Sequence, residues 1–200
     1  MGFLKGSMSF RLYDAPEKAS GKNSQELLKL ISKHVFANVL TDHDLSMGWT
    51  NLKNLLDTDL TEEKVIAQQY LLLGFRVDRK SLSSLYFRAR WENLLAEYME
   101  QANTEKVRVD ERKHLRETLR TKLLRETEPR RQLYEVCWDL PAGRIYFFST
   151  SATANETFCE HFRRTFGESL KPATLEQKFL EVMPGGDSQK ILDKATPATF

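Results

Sequence analysis

The segment Tyr70-Leu71-Leu72-Leu73-Gly74-Phe75-Arg76-Val77 constrains the fold more than any other part of the chain. It is short, apolar and bounded by charge. A run of this kind suits a central strand buried on both faces, since a strand covered above and below hides every side chain. Such a strand needs a sheet around it and helices to cover that sheet.

The flanking sequence supplies both. Met8 to Tyr13 alternates apolar and polar residues, the period of a half-buried strand. Asn23 and Glu26 have capping-box spacing, and Leu27, Ile31 and Val35, with Leu28 and Val39, form one apolar helix face. Residues 41–64 are polar and acidic, with a short strand at Gly48-Trp49. After the central strand, Phe87, Trp91, Leu94, Leu95, Tyr98 and Ala102 follow helical spacing. A second helix carries Leu115, Leu119 and Leu123, starts with Asp110 as cap, and stops before Pro129. Leu133 to Trp138 and Ile145 to Phe148 read as a hairpin turned by Asp139-Leu140-Pro141-Ala142-Gly143. Thr153 and Glu156 cap a last helix with Phe158, Phe162 and Phe166 on one face and Gly167 at its end. Leu175 to Met183 reads as a short helix and the remainder as a tail. The predicted class is α+β, an antiparallel or mixed sheet with packed helices, in the order β-α-β-β-α-α-β-β-α. Residues 1–170 form the predicted core, and residues 171–200 a partly flexible C-terminal extension.

Several function classes find no support. No apolar run approaches the roughly 18–20 residues that span a bilayer, and the first seven residues hold no signal-peptide core. A chain without these features is expected to stay in the cytoplasm, away from membranes. Cys137 and Cys159 sit in apolar patterns and read as small core residues. Asp42-His43-Asp44 is the densest set of metal-ligand types, but no further His or Cys is near enough in sequence to complete a site. Cys159 and His161 lie two apart on a helix, so they point to different sides. Neither a glycine-rich phosphate loop nor a serine elbow is present, and the acidic residues lack the spacing of a two-metal nuclease. The chain is expected to be no enzyme and to need no cofactor or metal. The alternative is a nuclease whose carboxylates converge only in the fold.

The charge distribution is more informative. The net charge is only +2. Residues 41–65 hold two basic and six acidic side chains, whereas residues 66–131 hold fifteen basic and ten acidic. Arg112, Arg116 and Arg120 recur every four residues and so share one helix stripe, about 60° from the leucine stripe. Lys113 adds to that surface, and Arg76, Arg79, Lys80 and Arg88 precede it. Rows of cations on a rigid element suit rows of phosphates, because each neutralised phosphate releases condensed counterions. The mixed charge of the same helix also suits an ordinary solvated face, and both readings stand at this level.

Several segments, taken in order, resemble the recombination-associated protein RdgC family. Met1-Gly2-Phe3-Leu4 through Phe10-Arg11-Leu12 is similar to that family's first strand. Met47-Gly48-Trp49 resembles its Gly-Trp element, and Phe75-Arg76-Val77-Asp78-Arg79-Lys80 its strand entering a charged turn. Glu111 to Glu117 with Leu123-Leu124, then Trp138-Asp139, Gly143-Arg144-Ile145 and Phe162 to Gly167, continue the similarity to about residue 170. The chain departs from the pattern where no proline follows Leu82 and where Arg125, not proline, follows the double leucine. It is also shorter than typical members, chiefly toward the C-terminus. The resemblance implies a nucleoid-associated, non-catalytic protein that binds double-stranded DNA with little sequence preference. It implies a homodimer and a recombinase filament as a further partner. The side chains expected at the DNA are Arg76, Arg79, Lys80, Arg88, Arg112, Lys113, Arg116 and Arg120. A protein-interaction module contacting a recombinase through apolar patches is the remaining alternative.

Overall fold

A computed structural model describes residues 8–37 and 44–174. Its elements are β1 (Arg11–Asp14), α1 (Glu17–Ser20), α2 (Ser24–Ile31), β2 (Leu45–Thr50), α3 (Glu62–Val65), β3 (Ile66–Ala67) and β4 (Tyr70–Arg79). They continue with α4 (Ser84–Gln101), α5 (Val109–Glu126), β5 (Arg130–Asp139), β6 (Arg144–Phe147), α6 (Ala152–Phe166) and β7 (Lys171–Pro172). Seven strands make one sheet in the order β2-β4-β5-β6-β1-β7, with β3 paired to β4. β1 pairs antiparallel with both β6 and β7, and β5 pairs antiparallel with β6. The protein is α+β, with the predicted order β-α-β-β-α-α-β-β-α present and the short α1, α3, β3 and β7 added. Among the described residues no helix is long and apolar enough to cross a membrane.

The described residues divide into two compact units. One draws on residues 8–35, 49–75 and 134–174, the other on residues 36–37, 44–48 and 76–133.

The first unit is an aromatic core. Trp49, Phe75, Phe147, Phe158 and Phe162 are each no more than 1% exposed. Phe147 of β6 and Phe158 of α6 stack with centroids 4.2 Å apart and planes 7° from parallel. Offset stacks add about 0.5–1.5 kcal/mol to the burial of the rings. α6 places its phenylalanines because both its ends are fixed. The Ser151 hydroxyl accepts from the Ala154 amide, and Gly167 closes the helix at φ 79°. The predicted Thr153 cap is therefore corrected to Ser151. Thr153 already lies inside the helix, and its carbonyl accepts from the Thr157 hydroxyl.

α2 has the predicted capping box, with Asn23 Oδ1 accepting from the Glu26 amide and Glu26 accepting from the Asn23 amide. Leu27 and Ile31 are fully buried. Val35 does not continue this face: the α-helix ends at Ile31, a 3-10 turn covers Ser32–His34, and Val35 makes an isolated bridge to Trp49. Two buried polar pairs lock the core. Trp49 Nε1 donates to Thr165 Oγ1 at 2.9 Å, and the Tyr13 hydroxyl donates to Asn155 Oδ1 at 2.6 Å. β1 begins at Arg11 rather than Met8, which is 60% exposed. The hairpin of β5 and β6 forms as expected, its turn passing through Gly143 at φ 61°.

In the second unit α4 and α5 pack together on Trp91, Leu119 and Leu123, with Leu82, Phe87, Leu94, Leu95 and Leu115 around them. α5 begins at Val109, and its capping position is Arg108, which makes no side-chain cap bond. Asp110 stands one position inside the helix and so acts as first-turn acid, favourable toward the helix dipole. α5 ends at Glu126, before Pro129, as the sequence requires. Two expectations lie outside the described residues: the short helix from Leu175, and Val39 on the first helix face.

Candidate nucleic-acid interface

The helical pair carries the basic side chains, and its register decides where they stand. The leucine stripe of α5 faces α4, so the arginine stripe beside it falls at the edge of the contact. Arg112 lies over the Trp91 ring at 6.0 Å and Arg116 over the Phe87 ring at 5.6 Å. One step forward along α5 meets one step back along α4, which is the geometry of antiparallel helices. Arg120, the next in the row, donates to Asp44 Oδ2 at 3.0 Å.

An open cleft of about 950 Å³ runs along this edge. Leu82, Phe87, Trp91 and Leu95 form an apolar floor, and Arg88, Arg112, Lys113, Arg116 and Arg120 form a rim that is cationic on balance, with Lys80, Asp44, Glu92 and Glu117 also lining the cleft. All five rim residues are exposed. Arg88 pairs with Glu92 and Arg120 with Asp44. Among the described residues no carboxylate lies within ion-pair distance of Arg112, Lys113 or Arg116. These three cations are exposed and, among the described residues, without an ion-pair partner, although Glu117 lines the same cleft. A guanidinium group can take a two-pronged anion, which suits an exposed arginine beside a cleft.

Of the other predicted residues, Arg76 and Arg79 do not line the cleft, and Lys80 lines it but is buried. Arg76 is 6% exposed. It donates from Nε and Nη2 to both carboxylate oxygens of Asp78, at 2.8 and 2.7 Å, and its guanidinium sits 3.9 Å from the Phe36 ring centroid. Its charge is neutralised by a buried partner, so it presents nothing to a phosphate. Lys80 is 8% exposed, and its Nζ donates to the carbonyls of Leu124 and Arg125. It satisfies the orphan carbonyls at the end of α5, where a cation also suits the helix dipole. Arg79 is exposed at the end of β4 but does not line the cleft. Arg76 and Lys80 are thus structural, and the clustered cations are Arg88, Arg112, Lys113, Arg116 and Arg120.

The apolar floor went unseen as part of a site. Phe87 and Trp91 read from sequence as core, which Trp91 is at 8% exposure. The usable signal was the spacing of Arg112 and Arg116 against Trp91 and Phe87, which meets only once the helices are set antiparallel.

Other chemistry is poorly provided for. Among the described residues no three His, Cys, Asp or Glu side chains group as a metal site. Of Asp42-His43-Asp44, the first two lie outside the described residues, and Asp44 is taken by Arg120. Burial pushes the Cys137 thiol up to about 11 and raises that of Cys159 as well, which keeps both protonated and unreactive at neutral pH. His161 is buried, with Nε2 lacking a hydrogen-bond partner, and burial lowers its pKa to about 4.

No curated protein matches the chain. A family model described as "Putative exonuclease, RdgC" matches residues 3–190, nearly the whole of its 200 residues. The chain belongs to the RdgC family.

Proposed function

We propose that this protein binds double-stranded DNA without sequence preference in recombination, holding phosphates rather than cleaving them. The observation that carries this reading is the trio Arg112, Lys113 and Arg116, exposed on one helix with no carboxylate partner among the described residues. A solvated helix face ordinarily pairs its charges along the i,i+4 rows, as Arg88 does with Glu92. An unpaired row gains instead from a polyanion, which releases its counterions as the charges meet. Arg88, Arg120 and Arg79 extend the contact. Arg88 and Arg120 hold carboxylates that a phosphate would have to displace. Of the carboxylates that line the cleft, Asp44 and Glu92 are held by Arg120 and Arg88, and Glu117 lies beside them. The further expectations are a cytoplasmic, nucleoid-associated homodimer acting alongside a recombinase filament.

The test is fluorescence anisotropy with two unrelated duplexes, with and without magnesium. The expected result is equal affinity for both and intact DNA throughout. A strong preference for one duplex would overturn sequence independence, and magnesium-dependent loss of DNA would favour the nuclease named in the family description. Light scattering tests the dimer: a species at the 23.3 kDa chain mass at micromolar concentration would contradict it.

A further inference from the structure

The cleft beside α5 has more than a phosphate needs. Its rim is cationic on balance, with Asp44, Glu92 and Glu117 among the cations, and Leu82, Phe87 and Leu95 give it an apolar floor. A phosphate backbone offers nothing to bury there. The cleft is open and, at about 950 Å³, is roomy enough to take more than a phosphate group. A ligand that fills it must bring anionic groups for the rim and apolar groups for the floor.

Two chemistries meet that description: an unpaired nucleotide and an acidic peptide with apolar side chains. The ring faces decide between them. A base needs an open aromatic face to stack on. Trp91 is buried, and the guanidinium groups of Arg112 and Arg116 already lie over the Trp91 and Phe87 rings. The rest of the floor is aliphatic, which suits leucine or phenylalanine side chains better than a flat base. Guanidinium groups also match the two oxygens of a carboxylate.

We propose that this cleft is a docking site for an acidic, apolar-bearing peptide segment of a partner protein. Carboxylates of that segment engage Arg112, Lys113 and Arg116, and its apolar side chains enter between Leu82, Phe87 and Leu95. The inference rests on the same unpaired cations as the DNA reading, and it makes the peptide a competitor of duplex DNA at the rim. The partner would then act as a regulator of DNA binding. The floor, in contrast, serves the peptide alone.

The test uses a short fluorescein-labelled peptide of glutamates with leucine and phenylalanine at helical spacing. Its control has the same length and charge, with glycine at each apolar position. The apolar-bearing peptide is expected to bind at least roughly tenfold tighter, because only it fills the floor. Leu82→Ser should weaken the peptide by about fivefold while moving duplex affinity less than about twofold. Arg112→Ala with Arg116→Ala should weaken both ligands. Thermal melting establishes that each variant folds. Ser84→Glu offers a second variant, at the exposed first residue of α4 where an acid suits the helix, and it should repel the peptide several-fold. Equal affinity for the two peptides would overturn the proposal. So would an unpaired oligonucleotide that displaces the peptide and shares its sensitivity to Leu82→Ser. Peptide binding with no duplex binding would leave this proposal standing and remove the DNA reading, whereas duplex binding with no peptide binding would do the reverse.

Discussion

The two units bury different things. Every large side chain below 2% exposure, from Trp49 and Phe75 to Leu27 and Val65, belongs to the aromatic unit. The buried charged residues Arg76, Asp78 and Lys80 all belong to the helical unit, whose own apolar core is Trp91, Leu119 and Leu123. Apolar burial stabilises at roughly 25 cal/mol per Å², while a buried charge costs free energy unless its partner is ideally placed. The aromatic unit is thus built for stability. The helical unit spends less of its sequence on a core and keeps its long side chains for the surface.

This contrast can be broken at several points. The largest effect should come from Phe158→Ala, which empties the centre of the aromatic stack. It should cost about 4 kcal/mol in denaturant unfolding. A loss below about 1 kcal/mol would mean that the stack is not the core it looks to be. Next is Asp78→Asn, which leaves the Arg76 guanidinium buried beside a neutral group. A cost of about 3 kcal/mol is expected, read as faster amide exchange within β4 and α5. Undiminished protection there would show that the ion pair is dispensable.

Acid sharpens the comparison within the aromatic unit. His161 is packed against Trp49, Phe75 and His34, with Arg164 nearby, and its folded pKa of about 4 lies below its ordinary value of 6.5. The unfolded chain therefore binds the proton more readily than the folded one. This contribution to stability is fully present above pH 6.5 and drains away as pH falls toward about 4. Its size is on the order of 3 kcal/mol, and His161→Phe should flatten the stability curve across that window. An unchanged slope would show that His161 is not the group responsible. The smallest effect belongs to Arg88→Ala in the helical unit. Its pair with Glu92 is exposed at 77% and 63%, so stability should move by less than about 0.5 kcal/mol.

The sequence was most readable where one physical rule acted alone. The buried strand β4 followed from its continuous apolar run, and the phenylalanine face of α6 and the leucine face of α5 from periodicity. Cap positions were less readable, because Ser151 and Thr153 both offer a hydroxyl, and packing selected the first. The elements α1, α3, β3 and β7 run two to four residues, too short for any period to show. Arg76 was misplaced for a different reason. A strand puts residues two apart on one face, so Arg76 and Asp78 could neutralise each other and be buried together. Counting positive charges along the chain hides such a pair. The cleft, finally, needed the antiparallel register of two helices, which no single stretch of sequence contains.

The central claim is that Arg112, Lys113 and Arg116 meet phosphates. Its most direct test is the slope of log affinity against log salt for duplex DNA, in the wild type and in the triple alanine variant. The account predicts a slope shallower by about 2–3 in the variant, since each lost phosphate contact removes about 0.9. An unchanged slope, with unchanged affinity, would contradict it and leave α5 as a solvated face.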